Sequence, residues 1–229
     1  MNFISLGGWC GTKFALKYTN YSDEASLPFD YVRTSIEGII DCVKNDFKNY
    51  FPKKIEVDDK ITSYKCFRGE YVSFYHHDIN NEDVIKSIIR KTQRFYDKMG
   101  SNNKTIFVRT ICRNNYYDEI KHSYKLQYEI DNKWPNLDYI LIFIIPEQSI
   151  TSYYKNIGNK IFIFSLNYSI DDQNDDKFKS EYGKIFDFII NQNLFYNIPE
   201  IINLDIKDTN NKLWLVDGYP MVDHLEKYY

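Results

Sequence analysis

The chain has 229 residues, 43% of them hydrophobic, enough to bury a substantial core and too apolar for a disordered segment. Lys and Arg total 29 against 32 for Asp and Glu, a formal net charge of −3, so there is no general electrostatic pull toward nucleic acid or an anionic membrane. Apolar runs such as Tyr139 to Pro146 are too short to span a bilayer, and the first residues lack the basic and apolar regions of a signal peptide. A cytoplasmic protein is expected, in the host cytoplasm if the source is viral. The excess of Tyr, Asn, Ile and Lys follows A/T-rich codons, which points to an A/T-rich virus, protist or bacterium.

Taken in chain order, Asn2 to Leu6 reads as a short buried strand closed by Gly7-Gly8. Gly11 to Tyr18 has a helical pattern, and a loop runs on through Ser22 to Asp30. Thr34 or Ser35 is placed to cap a helix reaching about Phe47, with Ile36, Ile39, Ile40, Val43 and Phe47 on its core-facing stripe. Lys60 to Phe67 and Glu70 to Tyr75 read as two short strands joined around Gly69. Asn80 or Asn81 caps a helix running to about Met99, which Gly100 ends in a left-handed conformation.

The centre is the clearest part. Thr105 to Arg109, Tyr139 to Ile145 and Ile161 to Leu166 are continuous apolar strands; helices are predicted over Tyr117 to about Lys133 and Phe178 to Asn191. Apolar strands separated by helices predict a three-layer α/β fold, with a mainly parallel sheet covered on both faces. Ser169 to Asp176 is an exposed loop, and Leu213 to Val216 a last short strand before an Asp217-Gly218 turn. With no repeat and no convincing boundary, residues 1–229 are expected to form one domain.

Cys10, Cys42, Cys66 and Cys112 lie far apart with no C-x-x-C pair, which points to free thiols, and Cys and His are not clustered as a zinc site requires. No metal or cofactor is expected. Cys10 follows a strand and a Gly-Gly turn where a helix begins, the position at which ligands gather in a parallel α/β sheet. The N–H groups of that helix end would favour a thiolate and stabilise an acyl oxyanion. The competing reading is a small buried Cys packing the junction.

A thiol nucleophile needs a base. His76-His77-Asp78 follows a strand and precedes a helix; alternation turns only one of the two rings toward a site, and Asp78 would orient it unless it caps the helix. The rival base is His224, oriented by Asp217 or Asp223, in the order of hydrolases whose nucleophile follows an early strand. Gly8, Asp30, His76 and Arg109 are the candidate substrate contacts; Arg109 ends a central strand and would otherwise form a structural ion pair with Asp30.

The string I-S-L-G-G-W-C with Phe14, Leu16 and Lys17, then L-P-F-D-Y, I-I-D-C-V-K-N-D-F, F-Y-H-H-D and I-F-V-R, resembles a family of papain-like cysteine peptidases of bacteria and large DNA viruses. The resemblance covers about the first two-thirds of the chain. It implies a Cys–His centre carried by Cys10 and by His77 or His76, with Asp78 as orienting group, and His77 is favoured because it lies inside the resembling blocks. It also implies a catalytic Cys on a long central helix and a His on an antiparallel sheet, an arrangement at odds with the strand–helix alternation. The C-G-[SA]-C-[WY] context is absent as well.

The leading expectation is therefore a hydrolase or acyl-transfer enzyme with Cys10 as nucleophile, acting on a peptide, ester or amide. The alternatives are a glycosyltransferase-like protein, binding a sugar or nucleotide-sugar through Asp30, Arg109 and His77, and a non-catalytic viral or host interaction module. The partner is then a small molecule, glycan or peptide, with no nucleic acid and no membrane.

Overall fold

A computed structural model describes residues 1–21, 25–51, 56–58, 66–68, 72–74, 76–112, 116–170, 172 and 174–208. The predicted strand at Leu213 to Val216, together with Asp217, Asp223 and His224, lies outside them.

The elements run β1 (Asn2–Ser5), α1 (Gly11–Tyr18), β2 (Arg33–Thr34), α2 (Ile36–Lys44), β3 (Glu56–Asp58), β4 (Cys66–Arg68) and β5 (Val72–Ser73). They continue with α3 (Glu82–Met99), β6 (Thr105–Thr110), α4 (Tyr116–Lys121), α5 (Ser123–Lys133), β7 (Tyr139–Ile145), β8 (Ser152–Ile157), β9 (Ile161–Ser165) and α6 (Asp175–Gln192).

A five-stranded sheet has the order β1-β6-β7-β9-β8; every pair is parallel except β8 with β9. Its central strands β7 and β9 are apolar almost throughout because both faces are covered. Successive side chains of a strand point to opposite faces, so β7 divides its residues between two cores. Ile140, Ile142 and Ile144 join Ala15, Leu16, Tyr182 and Phe186, from α1 and α6. Tyr139, Leu141, Phe143 and Ile145 join Ile39, Ile88, Phe95 and Leu126, from α2, α3 and α5. The result is the expected three-layer α/β architecture. It is not the antiparallel sheet beside a helical lobe that a papain-type fold would have.

Other boundaries follow from local chemistry. The Ser35 hydroxyl accepts from the Gly38 N–H at 3.0 Å and opens α2, while the Asn81 side chain accepts from the Asp83 N–H at 2.9 Å and opens α3. Gly100 ends α3 with a right-handed φ of −78°, so the expected left-handed cap is corrected. The predicted helix Tyr117 to Lys133 is interrupted at His122, which precedes α5. Of the two strands expected to join around Gly69, most of the first, Gly69 itself and both ends of the second lie outside the described residues; among the described residues β4 pairs with β3 and β5 with β2. Aromatic packing of Phe29 with Phe47, Tyr50 and Phe95 seats the L-P-F-D loop on the core and brings Asp30 beneath α1. Among the described residues no helix is long and apolar enough to cross a membrane.

Candidate active site

The loop after β1 is fixed by close approach. Gly7 and Gly8 adopt φ of +69° and +89°, a region that L side chains rarely occupy. A Cβ on Gly8 would lie 2.3 Å from the Thr110 carbonyl oxygen and 3.1 Å from the Cys112 sulfur. Gly8→Ala is accordingly expected to destabilise the fold by several kcal/mol, on the order of the combined backbone and overpacking penalties. Urea unfolding measures it; a loss below about 0.5 kcal/mol would show that the loop yields. The Thr12 hydroxyl donates to the Gly7 carbonyl at 3.1 Å and lies 3.1 Å from the Thr110 hydroxyl, which in turn meets the Tyr182 hydroxyl at 2.8 Å. These bonds hold the loop against β6 and α6.

Cys10 is the N-cap residue of α1, at the carboxyl end of β1, and is partly exposed. Cys42 and Cys112 are buried. Gly11 has no Cβ because the Trp9 indole lies across it; an added Cβ would sit 2.0 Å from that ring. Burial pushes the Cys10 thiol above its ordinary value, while the Arg33 charge and the N–H groups of Cys10 and Gly11 pull it back. A depressed thiol was expected from the helix end alone. Desolvation outweighs it, so the sulfur carries its proton at neutral pH.

Arg33, from β2, acts electrostatically on His76 as well as on Cys10. His76 is exposed, and partial burial of its ring, helped by Arg33, holds it below the ordinary imidazole range. His77 points inward instead. Its Nε2 lies 3.0 Å from Lys91 Nζ, and its Nδ1 is buried with no partner among the described residues. Burial, with the charges of Lys91 and His76, lowers it to about 4. Both rings are neutral at physiological pH. Among the described residues no hydrogen bond joins the Cys10 thiol to either ring.

Asp78 does not hold the His77 ring: it is exposed and its carboxylate accepts from the Asn80 N–H at 3.0 Å, the turn-forming alternative. Lys91 is what the ring meets. Asp30, 1% exposed, pairs with Lys13 at 3.2 Å and accepts from the Leu27 N–H at 2.9 Å. It does not pair with Arg109, because Arg109 turns into the core toward Glu119 and donates to the Leu6 carbonyl at 2.9 Å and the Thr34 carbonyl at 3.0 Å. With Arg109 2% exposed and its guanidinium taken up this way, it ties β1 to β2 and does not line the crevice. Two contributors escaped the sequence reading. Lys91 falls on the apolar stripe of α3 between Ile88 and Phe95, where a lysine has no reason to lie unless it meets a buried partner. Arg33 carries no comparable pattern, and only the β2–β5 pairing reveals it.

Residues 1–150 match the family described as "Putative papain-like cysteine peptidase (DUF1796)". The chain belongs to this family. The matched region holds β1 to β7 and with them Cys10, Arg33, His76, His77 and Lys91. The family's description agrees with a cysteine nucleophile, while its parallel sheet sets this member apart from the papain architecture. No curated protein and no solved structure matches the chain.

Proposed function

We propose that the protein is a cysteine-dependent acyl hydrolase or acyl-transfer enzyme with Cys10 as nucleophile and His76 as general base, acting on a peptide, ester or amide carbonyl. The observation carrying this reading is the seat of Cys10: an N-cap sulfur at a strand end, approached by two backbone N–H groups and the Arg33 charge. The thiol and imidazole are both neutral at rest, so a preformed thiolate–imidazolium pair is not the ground state. In the reaction His76 takes the thiol proton as the sulfur–carbon bond forms, and the N–H groups of the helix end and Arg33 face the developing oxyanion. The imidazolium then protonates the leaving group as its bond to carbon breaks. Water, deprotonated by the same ring, hydrolyses the thioester and restores the thiol.

The experiment is a panel of activated esters, thioesters and peptide amides incubated with the full chain. Cys10 should acquire an acyl mass in the intact protein, and Cys10→Ala should abolish both adduct and turnover. Iodoacetamide should label Cys10 ahead of the buried Cys42 and Cys112, at a rate that climbs with pH beyond the ordinary thiol value of 9.0. A thiol that is alkylated yet never acylated by any member of the panel would overturn the proposal.

A further inference from the structure

His77 has its two nitrogens in unlike surroundings. Nε2 faces Lys91 Nζ at 3.0 Å, and a lysine nitrogen at that distance donates, so Nε2 accepts and its lone pair is used. The ring proton must then sit on Nδ1, on the other side of the ring, and that atom is buried with no partner among the described residues. A buried N–H without an acceptor is costly, and such an orphan calls for an explanation. Lys91 is itself held in place: it is 8% exposed, Asp30 acts on it as the nearby negative charge, and Asp30 is anchored by Lys13 of α1, three residues from Cys10.

We propose that Lys91 is a positioning residue that fixes His77 as the Nδ1–H tautomer, so that His77 presents a hydrogen-bond donor to an acceptor oxygen of the ligand rather than serving as a base. The inference rests on the site reading above and assigns the two adjacent histidines opposite tasks, proton acceptor for His76 and donor for His77. The chain Lys13–Asp30–Lys91–His77 would then link the helix that carries the nucleophile to the loop that carries the imidazoles. The charged or titratable groups acting on this ring are Lys91 and His76, and those acting on Lys91 are Asp30 and Arg94.

The test is nitrogen-15 NMR of the histidine rings in the full chain, with His77 assigned by its loss in His77→Gln. The expected spectrum shows the Nδ1–H tautomer with a titration midpoint near 4, well below 6.5. Lys91→Met should release the lock, with mixed tautomers and a midpoint at least about one unit higher, while Lys91→Arg, which keeps charge and donor, should preserve it. An Nε2–H ring in the native chain, or a ring indifferent to Lys91→Met, would overturn the assignment. Adding the ester that best acylates Cys10, as its non-hydrolysable ketone analogue, should shift the Nδ1 resonance in the native chain. No shift on saturation would refute the donor role. The arms separate from the preceding proposal: a locked tautomer beside an inert thiol defeats the Cys10 reading, whereas an acylated Cys10 beside an unlocked ring defeats this one.

Discussion

Arg109→Met is expected to cost the fold about 3–5 kcal/mol, the loss typical of breaking a buried ion pair by removing one partner. Arg109 and Glu119 are 2% and 0% exposed in their side chains, so deleting the guanidinium strands a carboxylate in the core. One oxygen of that carboxylate, Oε2, already lacks a partner among the described residues, so water offers little rescue. The Leu6 and Thr34 carbonyls lose their donors at the same time. Urea unfolding of the full chain gives the loss from the shift in midpoint at constant slope. The companion variant Arg109→Met with Glu119→Leu removes both charges and should recover most of it, because two well-packed apolar residues often match a buried pair. A single-variant loss below about 1 kcal/mol would show that the pair is solvated and that burial has been misread.

The second large effect is kinetic. His76→Gln is expected to lower the acylation rate by ~10²–10⁴-fold, the contribution of a general base, and to leave the fold intact because the ring is exposed and bonds to nothing described. His77→Gln should act through substrate affinity more than through turnover, since its Nε2 is engaged by Lys91 and cannot take the thiol proton. The split between kcat and KM, measured with the best ester of the panel, decides between them. A full loss in His77→Gln with none in His76→Gln would return the base to His77, the ring favoured on sequence grounds.

That reversal between neighbouring histidines shows where sequence reasoning stops. Alternation along Val72 and Phe74 predicts that His76 and His77 face opposite ways, with His76 on the side of those two buried residues; His76 is instead exposed, and it is His77 that turns toward Lys91. Which of them serves a thiol depends on Arg33 and Lys91, brought in by tertiary pairing that no local pattern encodes. The sheet was easier to read. Strands β6, β7 and β9 are buried on both faces, so their centres read as continuous apolar runs of strand length. Strand β8, S-Y-Y-K-N-I, sits at the sheet edge with one backbone side unpaired, needs no such run, and went unnoticed. The burial of Arg109 was hidden for a related reason: a charged residue closing an apolar strand looks like a crevice ligand until its partner ten positions on is seen to lie inside the core.

The two halves of the candidate site stand on different sheets. Cys10 follows β1 through the Gly7-Gly8 loop, and β1 pairs in parallel with β6 at the edge of the five-stranded sheet. His76 and His77 follow β5, a two-residue strand paired, among the described residues, with two-residue β2. Cys10 thus follows an edge strand of one sheet and His76 a strand of another, and the Arg109 guanidinium, bonded to the Leu6 and Thr34 carbonyls, spans the two.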